Sequence, residues 1–247
     1  MSTSSTTAAT SNNNSGSNSD LADLSIMQLA DSFFPTGMYT TSNGLEALFY
    51  SGRKLKPAEF TDLVRIFIER QMGPADTAAL GNAYRFAASS DLESLIKVDR
   101  TLHAMKLVQE IRNASARSGT QMLRCVNSFV TSSKMMNDYA AAIKQGRAYG
   151  PYPVALAVSC NAMSVPKKKA GLAMLYSFSV GMVGAALRLG MFQHFDGQKI
   201  IDELKPVMVK AVNDNIDKTI EEMWQFVPQI DLVQMSHEKM ASKMFIT

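Results

Sequence analysis

Pro57-Ala58-Glu59-Phe60-Thr61-Asp62-Leu63-Val64-Arg65-Ile66-Phe67 decides the fold class. Proline suits a first helical turn, where its missing N–H costs nothing, and Phe60, Leu63, Val64 and Phe67 then recur at i, i+3, i+4 and i+7. That spacing puts four large apolar side chains on one face of a helix. The same period extends in both directions. Upstream, Leu24, Met27 and Ala30 mark a short helix that stops before Phe34-Pro35, since a residue preceding proline avoids helical geometry. Downstream, Gly73-Pro74 is read as punctuation before a second helix to about Ala88, and Ser90 with Glu93 as a capping box for the next. Helices are further expected at 107–130, 135–144, 153–163, 166–189, 198–213 and 215–226. No stretch alternates apolar and polar residues over six positions, so no strand is expected. The prediction is a single all-α domain of about eight to ten helices over 21–227, preceded by a disordered low-complexity tail at 1–20 and followed by a C-terminal partner-binding tail at 228–247.

The 247 residues are 46% apolar and 19% charged, enough to bury a core without a metal or disulfide staple. Residues 1–20 hold sixteen Ser, Thr, Asn or Gly, too little apolar surface to offset the entropy of ordering. The first basic residue is Arg53, which disfavours a secretory or mitochondrial leader and points to a cytoplasmic protein. A net charge of +3 does not suggest nucleic acid, and two cysteines outside any C-x-x-C spacing suggest reducing surroundings. Ala170 to Leu187 carries no charge and is nearly long enough to cross a bilayer. Its glycines and serines favour a central helix buried on all sides, and no membrane association is expected.

Nothing in the chain is arranged for catalysis. His103, His194 and His237 stand far apart with no metal-ligand spacing, and no phosphate loop or nucleophile elbow occurs. No cofactor is expected. The unusual feature is polar detail between helices: Asp31-Ser32-Phe33-Phe34-Pro35-Thr36-Gly37 leads through Tyr39 to Ser42-Asn43-Gly44-Leu45-Glu46, rich in residues that fix turns.

From Gln28 to Glu46 the chain resembles the opening pattern Q-L-x-D-S-x-F-P-x-G-x-[FY]-x-H-S-x-G-L-E of the urease accessory protein family UreF, with Thr41 in place of the histidine. Glu110-Ile111-Arg112-Asn113-Ala114-Ser115 with Gly119, Pro153-Val154-Ala155, Ala185 to Leu189, Gly197-Gln198, and His237-Glu238 with Lys243 to Thr247 are similar to further elements of that family, in order. The resemblance implies an all-α homodimer that is not an enzyme. It implies assembly with UreD (also called UreH) and, through it, the GTPase UreG, so that Ni²⁺ passes through the complex into apo-urease. Residues carried over as candidates for partner contact are Tyr39, Glu46, Arg112, Ser115, Arg188, Gln198, His237, Lys243 and Phe245. Within that set the expected contacts are Lys243 on Tyr39 and Arg188 with Glu46. The apolar tail from Pro228 is expected to order on binding UreD. A helical small-molecule enzyme and a one-span membrane protein are the alternatives.

Overall fold

The computed structural model describes residues 12–130 and 132–247, with side chains from Ser19. Most of the expected 1–20 tail therefore lies outside the described residues. The first helix, α1, runs Asn12–Ala30, followed by α2 (Leu45–Tyr50), α3 (Pro57–Phe67), α4 (Ala78–Ala88), α5 (Leu92–Met105), α6 (Gln109–Asn127), α7 (Lys134–Lys144), α8 (Tyr152–Ala162), α9 (Lys167–Arg188), α10 (His194–Asn215) and α11 (Pro228–Glu238). A π-helical stretch, Ile68–Thr77, joins α3 to α4 without a break, leaving ten separate helices and no strand among the described residues.

That π stretch corrects the expected break at Gly73-Pro74. Proline removes a donor and crowds the carbonyl four residues back, which ends most helices. Here the turn widens, and the Arg70 carbonyl accepts instead from the Phe226 N–H at 3.0 Å, while the Pro74 carbonyl accepts from Trp224 N–H at 3.3 Å. The same pairing corrects the helix expected at 215–226. Drawn along the π stretch, this segment keeps only a 3₁₀ turn at Ile220–Glu222. Upstream of it, α10 is one helix that absorbs the exposed Pro206. At α5 the cap is Asp91, whose carboxylate accepts from the Ser94 N–H at 3.0 Å, and not Ser90.

The helix buried on all sides is α8, where every residue from Tyr152 to Cys160 is buried. It is seated between α4, α6 and α9. Asp99 fixes its entry, accepting from Tyr139 Oη at 2.6 Å and from the Tyr149 and Gly150 N–H groups at 2.8 Å each. Helix α9 is the one described helix long and apolar enough to cross a membrane, but just over half of that stretch is buried inside the fold. It packs on α10, α1 and α8, and leaves a strip from Leu172 through Tyr176 to Gly184 partly open.

Close crossings depend on missing Cβ atoms. One added at Gly119 of α6 would lie 2.1 Å from the Gly150 carbonyl oxygen, and one at Gly81 of α4 would lie 1.8 Å from the Ile216 carbonyl oxygen. Backbone atoms cannot swing aside as a side chain can, so Gly119→Ala should lower the urea-unfolding free energy by about 1–3 kcal/mol or more. Gly184→Ala, which meets open space, should change it little.

Candidate functional site

The 31–44 loop is built by short-range turns. The Asp31 carboxylate accepts from the Phe33 N–H at 2.7 Å, Gly37 and Gly44 take positive φ, and Asn43 follows at φ 52°. Gly44 also lets α11 approach, since a Cβ there would sit 2.9 Å from Gln234 Cγ. The loop thus delivers Glu46 into the first turn of α2 with only 1% of its surface exposed.

A carboxylate so buried needs partners, and the far end of the chain supplies them. Glu46 Oε1 accepts from the Met244 N–H at 2.7 Å, and Oε2 accepts from the Phe245 N–H and faces His237 Nε2, both at 3.0 Å. His237 Nδ1 lies 2.7 Å from Glu110 Oε2, and Lys243 Nζ donates to Glu110 Oε1 at 2.5 Å. Burial by itself would raise both carboxyl pKa values. For Glu46 the Met244, His237 and Phe245 hydrogen bonds outweigh burial, and for Glu110 the Lys243 and His237 bonds do, so both are held below the usual glutamate range. Two strand-like hydrogen bonds complete the seam: Ile246 N–H to the Thr40 carbonyl and Ser42 N–H to the Thr247 carbonyl, both 2.8 Å.

Beside this network the Arg188 guanidinium lies between two rings, 4.0 Å from the Tyr39 centroid and 4.4 Å from that of Phe245. The expected contacts are therefore exchanged. Lys243 pairs with Glu110 and not Tyr39, and Arg188 stacks on Tyr39 and not Glu46. Arginine's flat, weakly hydrated cation suits the sandwich, while the carboxylates take the ammonium and the imidazole. The tail expected to await a partner instead lies on its own chain, with Phe245 3% exposed and His237 fully buried.

Six of the nine candidates thus meet: Tyr39, Glu46, Arg188, His237, Lys243 and Phe245. Arg112 instead donates to the Lys106 carbonyl at 2.8 Å, Ser115 accepts from the Tyr152 N–H at 3.2 Å, and Gln198 is exposed on α10, outside the cluster. Glu110 and Ser42 were missed as candidates, although both stand inside the motif elements already quoted. Thr41 turns its hydroxyl to the Met38 carbonyl at 2.7 Å.

Behind the seam is a chamber of about 80 Å³, whose wall includes Thr41, Asn43, Gln71, Asp76, Lys106 and Thr247. Asp76 and Lys106 form a buried pair at 2.7 Å, 3% and 5% exposed, and Asp76 Oδ2 and Gln71 Oε1 have no hydrogen-bond partner. The space accommodates several waters on the scale of about 10–15 Å³ per probe sphere, and two bare acceptors call for donors. No group of three or more His, Cys, Asp or Glu among the described residues is placed to hold a metal ion. Glu46 and Glu110 face opposite edges of the His237 ring and do not converge.

These features define a helical protein with a shaped, self-locked surface. The UreF family profile matches residues 55–205. Along 92% of its length the chain is 31% identical to a urease accessory protein UreF of Trichodesmium erythraeum, 98% of which is covered. It is 27% identical to the UreF protein of Bacillus sp. (strain TB-90) over 91% of the chain and 98% of that protein, and 29% identical to UreF 1 of Brucella melitensis over 90% and 92%. The chain belongs to the UreF family of urease accessory proteins, which are maturation factors and not enzymes.

Two outcomes follow for the network. Because the folded-state pKa values of Glu46 and Glu110 are depressed, their stabilisation is present above the usual glutamate range and lost as pH falls through the lowered values. An acid titration followed by circular dichroism should show that loss, and Glu46→Gln should flatten it while costing roughly 3–5 kcal/mol at neutral pH. Arg188→Ala should cost about 0.5–2 kcal/mol for the lost cation–π contacts, beyond the packing it removes.

Proposed function

We propose that this chain acts in urease maturation as a scaffold that binds UreD (UreH), recruits the GTPase UreG and regulates it, and lets Ni²⁺ pass to apo-urease without retaining it. The observation that carries this reading is the apolar rim of the seam. Phe33, Tyr39, Met244 and Ile246 are 93%, 60%, 59% and 42% exposed on the two segments that the network holds together. Solvent-facing apolar groups on a fixed backbone bind with little ordering cost, so this rim is assigned to UreD. The chamber behind it, mostly apolar but with the Asp76 and Gln71 oxygens in its wall, supports the metal route. Its lone carboxylate oxygen and amide oxygen can attract a hydrated cation, yet Lys106 beside them opposes tight capture.

The homodimer is assigned to the open strip of α9. Together with α1 it forms a groove of about 570 Å³ lined by Ile26, Met27, Leu172, Ala173, Tyr176 and Val180. Apolar residues beside open glycines suit close helix crossing by a second copy. The protein is placed in the cytoplasm with its partners.

Met244→Asp with Ile246→Asp alters only the rim. It should abolish co-elution with UreD while the melting temperature stays within a few degrees of the parent. Retained co-elution would remove the rim from the interface. Deleting 228–247 should also abolish the complex. A strain lacking only this chain should lose most urease activity, with partial recovery in excess nickel. Tyr176→Asp should convert a dimer to a monomer in gel filtration without loss of helix content.

A further inference from the structure

Asn43-Gly44 is the one Asn-Gly pair in the chain, and it stands at the centre of the seam. Before it, Ser42 gives both its N–H and its hydroxyl to the Thr247 carbonyl. After it, Glu46 holds the Met244 and Phe245 N–H groups.

The pair is placed to react with itself. Asparagine is thermolabile, and a glycine after it carries no side chain to shield the next amide nitrogen from the asparagine Cγ. Here the two residues form a turn with φ 52° and 88°. The Asn43 N–H faces Thr247 Oγ1 and the Leu45 N–H bonds to the Ser42 carbonyl, but the Gly44 N–H between them has no acceptor among the described residues. The Asn43 side chain is held as loosely. Its Nδ2 lies 3.6 Å from the Met182 sulfur, a weak acceptor. Asn82 and Asn215, by contrast, give their side-chain amides to backbone carbonyls at 2.8 Å. Asn43 is half-buried and lines cavities of about 80, 570 and 180 Å³, so water reaches it.

We propose that Asn43-Gly44 is a site of spontaneous covalent modification that unlocks the seam. The Gly44 nitrogen gives its proton to solvent and bonds to Asn43 Cγ; the Cγ–Nδ2 bond breaks, and Nδ2 leaves as ammonia. Water then opens the five-membered succinimide. Cleavage at Cγ leaves an aspartate in the normal backbone, and cleavage at the backbone carbonyl leaves an isoaspartate with one extra backbone carbon. Only water is consumed, and nothing is oxidised or reduced.

Either product disturbs the seam. As aspartate, the group facing the fully buried Met182 changes from an N–H donor to a charge against apolar surface. As isoaspartate, the added carbon separates Ser42 from Glu46, the two residues that hold the same terminal segment. The carbonyl that accepts from Gln234 Nε2 at 3.2 Å is then lost to the new carboxylate. The chemistry lies within a single chain and stands whether or not the rim binds UreD.

The test ages the full, folded chain without partners in warm, mildly alkaline H₂¹⁸O. Peptide mass mapping should find an ¹⁸O-labelled carboxylate at position 43, formed at least roughly tenfold faster than at Asn82, Asn113 or Asn215, which is about 1.4 kcal/mol on the barrier. The modified chain, separated by chromatography, should exchange its 244–247 amides roughly tenfold faster than the unmodified chain. Asn43→Gln, whose closure needs a six-membered ring, should keep the slow exchange through the same incubation. Chain unfolded in urea is the control for the assay. An Asn43 that stays intact in the folded chain while converting in urea would overturn the proposal, as would a modified chain whose 244–247 exchange matches the parent. If Asn43→Gln fails to fold, the comparison of modified with unmodified parent chain decides alone.

Discussion

A glutamate with 1% of its surface in water is the constraint from which the rest of this structure follows. Glu46 is carried inward by the first turn of α2, and no residue near it in sequence can neutralise or solvate it. Its carboxylate meets three residues, 237, 244 and 245, all about two hundred positions away. Satisfying one buried anion thereby closes the chain on itself. The cost of stranding that charge is larger than the worth of any single bond to it, which is why the C-terminal segment lies down as an ordered strand-like strip and not as a loose tail.

The closure has a layered logic. The outermost layer is apolar and exposed, at Tyr39, Met244 and Ile246. Beneath it, aromatic rings hold Arg188 and carboxylates hold His237 and Lys243, each cation matched to the acceptor that suits its shape. Behind both is the chamber with the Asp76–Lys106 pair, where one carboxylate oxygen is answered and the other is not. A protein of this family can present itself to partners with its polar interior already organised, so little of the association energy goes into ordering it.

Helical periodicity carried most of the fold. The Phe60, Leu63, Val64, Phe67 stripe, the proline starts of α3, α8 and α9, and the uncharged run in α9 were all legible, because each depends on residues within a few turns. Errors fell where distant backbone took over a local role. Pro74 ends no helix because Phe226 supplies the donor that its carbonyl neighbour would have lacked, and 215–226 is not a helix for the same reason. The site was legible as motif segments but not as pairings. Tyr39, Glu46, Arg188 and Lys243 were all singled out, yet which cation meets which ring or carboxylate is decided by approach of α9, α11 and the chain end in three dimensions. Glu110 escaped notice because a glutamate in the first turn of a helix is commonplace; only its meeting with His237 makes it special.

The wide turn at Ile68–Thr77 has a bearing on the other end of the molecule. Its Arg70 and Pro74 carbonyls, turned away from their own spiral, are the rungs on which 224–226 hang, and that ladder sets where α11 begins and therefore where His237 arrives. Excising one residue from the turn to restore ordinary winding would take those rungs back. An anomaly of winding in the first third of the chain is thus the fixture from which the last twenty residues are suspended.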